Sequence, residues 1–414
     1  MKQDNAFTFP HSYLLSLLFL FLTAADSYSQ ELLQIENFGK NPGNLKMFIH
    51  VPPSADTASG KALVLVLHGC MQNAKNVSEQ TGWNKLADAN GFLLVYPEQQ
   101  FFNNPQRCFC WYRSGDIHKG MGEDASIKEM VDYMKSRYAI DSGRIFITGL
   151  SAGAAMSVVL MATYPSTFCA GAVFAGGPYN GAGNVFSSLS LMAGRIEYTP
   201  EQWAEKVQLQ NPGYKGSYPK MIIYQGENDL VVNKKCGLEL LKQWTALKQA
   251  DSLLSRKTDR FADNPDIEKT IFFDAGLKEA VLYYKVKKLG HALLIHPGSC
   301  PNQGGKLLAF SEDRNYHSTW WTAFDFGLVH TEYITGQSEV GKDEQNLNYS
   351  VPGHEKSSYN WTYPAGCEIK SGAGTHSLFL DWGKQSGSIN LAETDSSGCL
   401  FQYPTVFIQV RDQQ

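Results

Sequence analysis

The sequence predicts an α/β fold followed by a small all-β module, and three observations lead to this prediction. Apolar β-type runs and helical patterns follow one another as far as about Leu328, which is typical of an α/β domain. One of those runs leads into the strand-turn-helix sequence Gly149-Leu150-Ser151-Ala152-Gly153. Beyond Leu328 the helical patterns stop and short alternating segments separated by turns begin, which indicates a β-sandwich.

Length and composition are those of an ordinary globular protein with room for more than one domain. The chain has 414 residues, of which 43% are hydrophobic and 18% charged. Its formal net charge of −4 provides no basic surface of the kind that binds nucleic acid. Nucleic acid is therefore not an expected partner.

The N-terminus has the features of a targeting segment. The apolar run 14–22 is too short to span a membrane, and Ser27-Tyr28-Ser29 is a plausible cleavage site before Gln30. We therefore predict a signal peptide at residues 1–29 and export of the mature chain, to the exterior or to the periplasm. No other apolar stretch is long enough to predict a membrane span.

Ser151 is the candidate nucleophile. The β-type run 144–148 precedes it and the helical stretch 152–164 follows it, which is the context that a nucleophile elbow requires. Gly149 and Gly153 allow the strand and the helix to approach closely. The alternative interpretation is a tight strand-helix turn in which the serine has no chemical role.

Asp229 is the candidate acid. In α/β-hydrolases the acid follows the serine along the chain and the histidine follows the acid. The apolar run 219–225 reads as a buried strand and ends just before Asp229, so this carboxylate is expected at the carboxyl edge of the sheet, where α/β folds build their sites. Asp229 as a helix N-cap is the alternative role, and Glu227 is the alternative acid.

His291 is the candidate base, because it follows the predicted strand 280–287. His296 lies in the next loop and is one competitor. His317 is the other, but it falls in the predicted final helix beside two tryptophans, where a packed or solvent-exposed histidine is the simpler interpretation.

Two backbone N–H groups are candidates for an oxyanion hole. Ala152 directly follows the serine and supplies the first. The continuous apolar run 61–67 leads into His68-Gly69-Cys70, where the glycine permits a turn that points the Cys70 N–H inward. We expect His68 to brace this turn as a structural residue. An ordinary glycine-containing turn is the alternative.

Aromatic side chains and one insertion are candidates for the pocket walls. Trp111 and Tyr112 are expected either to line the pocket or to pack as a loop under the sheet. Residues 177–215 separate two predicted strands, and an insertion there is expected to form a lid or a pocket wall. Trp203, on the apolar face of a predicted helix, is expected in the core.

Several motifs resemble those of a known family. The stretches are LHGCMQ, NPQRCFCWY, GEDASI, GLSAGAAMSVVLMATYP, YQGENDLVV, GHALLIHPGS and the helix containing HSTWW. They occur in the family's order across roughly residues 35–329. In these motifs the chain resembles bacterial esterases of the polyhydroxybutyrate depolymerase family, which are relatives of feruloyl and acetylxylan esterases.

The resemblance implies an α/β-hydrolase fold over residues 30–329 with a triad of Ser151, Asp229 and His291. It also implies an oxyanion hole at Cys70 and Ala152. The reaction it implies is cleavage of carboxylic esters without metal or cofactor.

The C-terminal region, residues 330–414, is expected to be a separate domain. Its alternating segments are 359–363, 377–382, 387–391 and 405–410. Three stretches, Tyr349-Ser350-Val351-Pro352, Tyr359-Asn360-Trp361 and Ser388-Ile389-Asn390-Leu391, resemble the PKD-like immunoglobulin-type modules of secreted Bacteroidetes enzymes. Trp361 is expected to be the core tryptophan. The module contains no catalytic constellation, and its candidate roles are binding a polymer, binding the cell surface, or acting as a spacer.

Eight cysteines in an exported chain are expected to be mostly paired. Cys367 and Cys399 stand alone in the C-terminal region, so we predict a bond between them. We further expect Cys236 to pair with Cys300, Cys70 with Cys108, and Cys110 with Cys169. No compact Cys/His spacing predicts a metal site.

The predicted activity is acyl transfer from an ester to water through an acyl-enzyme. The expected substrate is a polyhydroxyalkanoate or a related ester. Feruloyl or acetyl esters of plant cell walls are the alternative within enzymes. A binding protein built on a catalytically dead hydrolase scaffold is the alternative from another class.

Overall fold

The computed structural model describes residues 32–53 and 60–411. The predicted signal peptide, residues 1–29, lies outside the described residues. Within the described ranges, no helix combines the length and apolarity needed to cross a membrane.

A ten-stranded mixed sheet forms the scaffold of the N-terminal part, and a two-stranded pair lies beside it. The strands are β1 Leu33–Ile35, β2 Lys46–His50, β3 Lys61–Leu67, β4 Leu93–Glu98, β5 Ile140–Leu150, β6 Ala170–Phe174, β7 Lys220–Gly226, β8 Asp251–Asp259, β9 Ile267–Phe273, β10 Glu279–Val286, β11 Leu293–Ile295 and β12 Ser311–Asp313.

Nine α-helices accompany these strands in the described chain. They are α1 Ala74–Thr81, α2 Trp83–Asn90, α3 Ser114–Ile117, α4 Gly122–Arg137, α5 Ala152–Thr163, α6 Val185–Met192, α7 Pro200–Gln208, α8 Lys234–Lys248 and α9 Ser318–Asp325.

The strand order of the large sheet is β1-β2-β4-β3-β5-β6-β7-β10-β9-β8. The six strands from β4 to β10 pair in parallel, whereas β1, β2, β9 and β8 pair antiparallel at the two edges. The carboxyl ends of the parallel strands therefore meet at one edge of the sheet. The predicted α/β fold is confirmed.

Burial on both faces explains the continuous apolar run that forms β3. Leu63, Leu65 and Leu67 belong to one apolar cluster, and the alternating residues Val64 and Val66 belong to the other. Successive side chains of a strand point to opposite faces, so a strand covered on both faces needs apolar residues throughout.

Residues beyond 330 form two small sheets with an apolar core of their own, and their strands pair antiparallel except for one parallel pair at residues 339–340 and 409–410. Trp361 is buried in this core, as predicted. The strands are β13 Glu339–Val340, β14 Leu347–Ser350, β15 Ser358–Thr362, β16 Glu368–Ser371, β17 Ser377–Asp381, β18 Gly387–Thr394, β19 Leu400–Gln402 and β20 Val406–Val410.

The sandwich is joined to the α/β part by one disulfide and by hydrogen bonds. Cys300, in the loop after β11, is bonded to Cys399, in the turn between β18 and β19. The Asn302 side chain donates to the Leu400 carbonyl at 2.8 Å. This turn of the sandwich therefore lies directly against the loop that follows β11.

The predicted bond between Cys367 and Cys399 is wrong. Cys367 is a free thiol that precedes β16 in the three-stranded sheet. Cys399 precedes β19, which pairs with β18 in the other sheet, and it meets Cys300 with a Cα–Cα distance of 5.6 Å. The two sequence neighbours are thus held on different sheets.

The expected pair of Cys236 with Cys300 is also wrong. Cys300 is bonded to Cys399, and Cys236 is a buried thiol whose Sγ lies 3.0 Å from the Leu191 carbonyl. The pair of Cys110 with Cys169 is also wrong. Cys169 sits at the amino end of β6, and the buried Cys110 lies beside Glu123.

The expected bond between Cys70 and Cys108 is present.

Peptide mapping without reduction is expected to recover two links, Cys70–Cys108 and Cys300–Cys399, and four free thiols. Removing the second link with Cys300→Ser and Cys399→Ser should lower the free energy of unfolding by about 2–4 kcal/mol, since the bond closes a long loop. Recovery of a peptide linking Cys367 to Cys399 would contradict this arrangement.

Candidate active site

Ser151 occupies a strained turn between β5 and α5. Its backbone has φ 56° and ψ −116°, a conformation that non-glycine residues adopt only when their surroundings hold them. The Ser151 N–H donates to the Phe174 carbonyl at 2.9 Å, and the Ala155 N–H donates to the Ser151 carbonyl at 2.9 Å. These bonds hold the residue in place from both sides.

The two glycines of the turn are required by close backbone contacts. A Cβ on Gly149 would lie 2.4 Å from the Gly153 carbonyl, and a Cβ on Gly153 would lie 2.5 Å from the carbonyl oxygens of Leu67 and His68. Strand, turn and neighbouring strand therefore pack too closely for side chains at these positions.

Asp229 and His291 are brought together by the loops after β7 and β10. The His291 Nδ1–H donates to Asp229 Oδ2 at 2.8 Å. The other carboxylate oxygen, Oδ1, accepts the N–H groups of Val231 and Val232, both at 2.8 Å. The carboxylate is fully buried and the ring is nearly so, so three hydrogen bonds fix the carboxylate and the orientation of the ring.

The alternative partners lie elsewhere. Glu227 faces Lys285 at 3.9 Å across the neighbouring strand. His296 bonds to Gln303, and His317 donates from Nε2 to the Thr81 carbonyl at 2.8 Å. Burial lowers the pKa of His317 to about 4, so this ring is a neutral structural group.

Asp229 is not a helix cap either. The N-cap of α8 is Asn233, whose side-chain oxygen accepts the Lys235 N–H at 3.0 Å. The Asp229 carboxylate instead accepts two N–H groups of its own loop through one oxygen and faces the histidine with the other.

The turn formed by residues 69–72 is held against the serine. A Cβ placed on Gly69 would lie 3.6 Å from the Ser151 Cβ. Cys70 is bonded to Cys108, and the Met71 N–H donates to the Gln106 carbonyl at 2.7 Å. Within the described chain no protein group accepts the Cys70 N–H, and the Ala152 N–H, at the first position of α5, has no intrahelical acceptor.

His68 braces this turn, as predicted. Its Nδ1–H donates to the Gly69 carbonyl at 2.7 Å, and its Nε2 accepts the Gln99 N–H at 3.0 Å. Burial lowers the pKa of His68 to about 4. The ring therefore stays neutral, with one nitrogen donating and the other accepting.

An apolar cavity opens beside Ser151, with about 380 Å³ of empty space that includes part of the open mouth. Ser151, Ala152 and Cys70 belong to its lining. The rest of the lining is apolar or small and comes from five segments of the chain: Trp111, Ala155, Ala175–Gly177, Leu191–Met192, and Val232 with Cys236.

Val232 links this cavity to the Asp–His pair, because its N–H is one of the donors to Asp229. In the described chain no hydrogen bond joins Ser151 Oγ to His291. Such contacts are often long in unliganded enzymes and tighten when substrate binds.

The predicted pocket candidates differ in their position. Trp111 lines the cavity. Tyr112 does not line it and instead packs edge-on against Trp111, with ring centroids 5.5 Å apart. Leu191 and Met192 show that the predicted insertion 177–215 supplies part of the wall through α6, whereas Trp203 is fully buried, as predicted.

Two buried carboxyl groups were missed by sequence reasoning. Burial raises the pKa of Glu123 and of Asp124 to about 7. Glu123 accepts the Cys110 N–H at 2.7 Å and also the Gln99 side-chain amide. Both acids lie in the first turn of α4, where acidic residues are usually exposed, so nothing in the local pattern signalled their burial.

Glu123 also belongs to a group that could hold a metal by proximity alone. Ligand atoms of Cys110, Asp116 and Glu123 lie within 4.8 Å of one another. Both oxygens of Glu123 are already hydrogen-bonded, and Asp116 Oδ1 accepts the Glu123 N–H at 3.2 Å. We interpret the group as a hydrogen-bonded support of the loop that precedes Trp111 and assign no metal to it.

The mixed sheet with a strained serine between a parallel strand and a helix defines the α/β-hydrolase class. Residues 45–259, just over half of the chain, match the family described as esterase PHB depolymerase, and the chain belongs to this family. It is a carboxylic-ester hydrolase. Residues 328–402 match a PKD-like domain.

Named relatives include both polyester and plant-wall esterases. Poly(3-hydroxyalkanoate) depolymerase C of Paucimonas lemoignei is 37% identical over 324 residues, which is 76% of this chain and 75% of that protein. Feruloyl esterase B of Neurospora crassa is 36% identical over 56% of this chain and 79% of its own length. Among solved structures, the acetyl xylan esterase from Aspergillus awamori superimposes with a TM-score of 0.57 at 27% identity, covering 63% of this chain and 93% of that one.

Proposed function

We propose that this esterase uses Ser151 as nucleophile, His291 as general base and Asp229 as the orienting acid. The observation that carries the proposal is the 2.8 Å hydrogen bond between His291 Nδ1 and a fully buried Asp229 carboxylate. That bond leaves Nε2 of the ring free to act as a base, and the carboxylate stabilises the imidazolium that forms.

The proposed reaction has two steps. His291 accepts the Ser151 proton as the oxygen attacks the ester carbonyl, and the proton is then donated to the departing alcohol. In the second step His291 takes a proton from water as the water oxygen attacks the acyl carbonyl, and it returns the proton to Ser151 Oγ as the C–O bond to the serine breaks and the acid leaves. The N–H groups of Cys70 and Ala152, which have no acceptor in the described chain, would donate hydrogen bonds to the oxyanion. Each such donor commonly contributes a factor of about 10²–10³ to the rate.

We further propose a water-insoluble aliphatic polyester of the polyhydroxyalkanoate type as the substrate. Six exposed apolar side chains, here called the apolar rim, support this choice: Met71, Val185, Phe186, Leu189, Leu230 and Val231. Phe186 is 83% exposed and Leu230 is 97% exposed.

The rim is continuous with the site along the chain. Met71 follows Cys70, and Leu230 and Val231 follow Asp229. The remaining three, Val185, Phe186 and Leu189, lie on α6, whose last turn lines the cavity. Scattered exposed apolar residues are normal, but a group around a cavity indicates a binding surface. The cavity is itself lined mainly by apolar or small residues, which suits an aliphatic ester chain.

A double substitution on α6, Phe186→Ser with Leu189→Ser, tests the polyester proposal. We expect activity on a polyhydroxybutyrate film to fall about tenfold, because two exposed side chains that bury apolar area on the film are lost. Activity on a soluble nitrophenyl butyrate should stay within about twofold. The matched control is Leu253→Ser, at an exposed position on the far edge strand β8.

The same proteins should be assayed on methyl ferulate and on acetylated xylan. Clear preference for either of these over the film, or a film activity that the double substitution leaves intact, would contradict the polyester proposal and favour a plant-wall ester. The catalytic assignment would be unaffected by that outcome.

We also infer that the mature chain is exported and that residues 330–414 act as a separate domain. Two disulfides support export, since such bonds persist in oxidising compartments. An apolar core formed by residues 334–410 supports the domain boundary. The proposed role of this C-terminal domain is to bind the polymer or the cell surface.

A further inference from the structure

Three hydrogen bonds in a row connect the turn of residues 69–72 with the loop that contains Ala309. The Gly69 N–H donates to Gln72 Oε1 at 2.8 Å. Gln72 Nε2 donates to Gln80 Oε1 at 2.7 Å, and Gln80 Nε2 donates to the Ala309 carbonyl at 2.7 Å. We call the side chains of Gln72 and Gln80 the amide relay.

At one end, the amide relay holds the turn that carries Cys70. The Gln72 N–H donates to the Gly69 carbonyl at 3.3 Å, so Gln72 binds Gly69 through both its backbone and its side chain. The turn includes Met71 at φ 63°, a left-handed conformation that is costly for a methionine. Without the Gln72 side chain, a strained turn has one fewer restraint on the direction of the Cys70 N–H.

At the other end, the amide relay reaches the neighbourhood of His291. Ala309 precedes Phe310, whose ring packs edge-on against the His291 ring with centroids 5.9 Å apart. The Phe310 carbonyl also accepts the Leu293 N–H at 3.0 Å, which ties this loop to the segment directly after the histidine.

The amide relay is buried, and all of its hydrogen bonds point in the same direction. Gln80 is fully buried and Gln72 is 5% exposed, so neither amide has bulk water as a substitute partner. All three bonds run from the turn towards Ala309, and aligned hydrogen bonds in a low-dielectric interior strengthen one another. A change at Gln80 is therefore transmitted to Gly69 through Gln72.

We propose that Gln72 and Gln80 are positioning residues that aim the Cys70 N–H at the oxyanion and couple that turn to the loop beside the base. The proposal rests on the proposed function, because it requires the Cys70 N–H to receive the oxyanion.

Gln80→Met in the full chain removes the central acceptor while keeping the length of the side chain. We expect kcat on nitrophenyl butyrate to fall about tenfold, a fraction of the effect of losing an oxyanion donor outright, with KM unchanged within about twofold. Affinity for phenylboronic acid, which forms a tetrahedral adduct with a reactive serine, should fall by a similar factor.

Gln80→Glu adds a second measurement, the pH dependence of kcat, which a purely structural role of Gln80 would not change. A carboxylate at this position accepts from Gln72 but repels the Ala309 carbonyl, whereas a protonated carboxyl donates to it. The kcat of this variant relative to the unaltered chain should therefore rise as the pH falls from about 8 to about 5. A ratio independent of pH would count against the amide relay.

Asn390→Leu is the matched control for loss of a buried amide. Asn390 bonds Thr362 and Thr405 within the sandwich and lies outside the proposed machinery, so we expect a lower Tm and an unchanged kcat. A Gln80→Met protein that behaves in the same way would overturn the proposal. Ser151→Ala, assayed alongside, separates the two failures: retained hydrolysis in that variant would overturn the proposed function itself.

Discussion

We expect Ser151→Ala to lower kcat on a soluble nitrophenyl ester by about 10⁴- to 10⁶-fold, because the acyl-enzyme can no longer form. The fold should be unaffected. The Ser151 side chain makes no hydrogen bond in the described chain, and the bonds that hold its strained backbone come from the main chain of residues 151, 155 and 174. Tm measured by differential scanning calorimetry should therefore change little while turnover is lost.

Two histidine variants make this prediction specific to the proposed machinery. His291→Ala should reduce turnover to a level close to that of Ser151→Ala, since the members of such a unit act together. His296→Ala should keep most of the activity, because this ring bonds Gln303 and is not a partner of Asp229. An inactive His296→Ala protein together with an active His291→Ala protein would reverse the assignment of the base.

Asp229→Asn is expected to lower kcat by about 10⁴-fold with little change in KM. The substituted side chain can still accept the N–H groups of Val231 and Val232 through its oxygen. Its NH₂ group then faces His291 Nδ1 and turns that nitrogen into an acceptor. The ring proton moves to Nε2, so the base can no longer take the proton of Ser151.

Glu227→Gln is the matched control, since the loop also carries this second carboxylate. Glu227 pairs with the half-exposed Lys285 at 3.9 Å, and exposed pairs of this kind contribute about 0–1 kcal/mol. Its kcat should remain within about twofold of the unaltered chain. Loss of activity in Glu227→Gln with retention in Asp229→Asn would transfer the acid role to Glu227.

Local sequence sufficed to predict the elements that carry the candidate site. The apolar run 61–67 corresponds to β3. The run 144–148 lies within β5, and α5 begins directly after Ser151. Periodicity and glycine spacing act over only a few residues, so these signals survive without tertiary information. The carboxyl ends of parallel strands converge, and this is why residues after β5, β7 and β10 were expected near one another.

Edge strands were beyond the reach of the same reasoning. The strand β8 is exposed along almost its whole length, so no buried face imposes an alternating apolar pattern on its sequence. It forms because β9 offers it a free edge in the assembled sheet. Pairing of this kind depends on what the neighbouring strand presents and not on the residues of the strand itself.

The sequence by itself thus determined the α/β scaffold, the strained serine turn and the short list of acids and bases around it. The tertiary structure decided which of those groups meet: Asp229 with His291, and Cys399 with Cys300 in the α/β part instead of with Cys367 in the other sheet of the sandwich. It also decided that Glu123 and the amide relay are buried. These outcomes depend on strand order and on the packing of loops far apart in the chain, and the free energy of burying a polar group is set by the partners that this packing supplies.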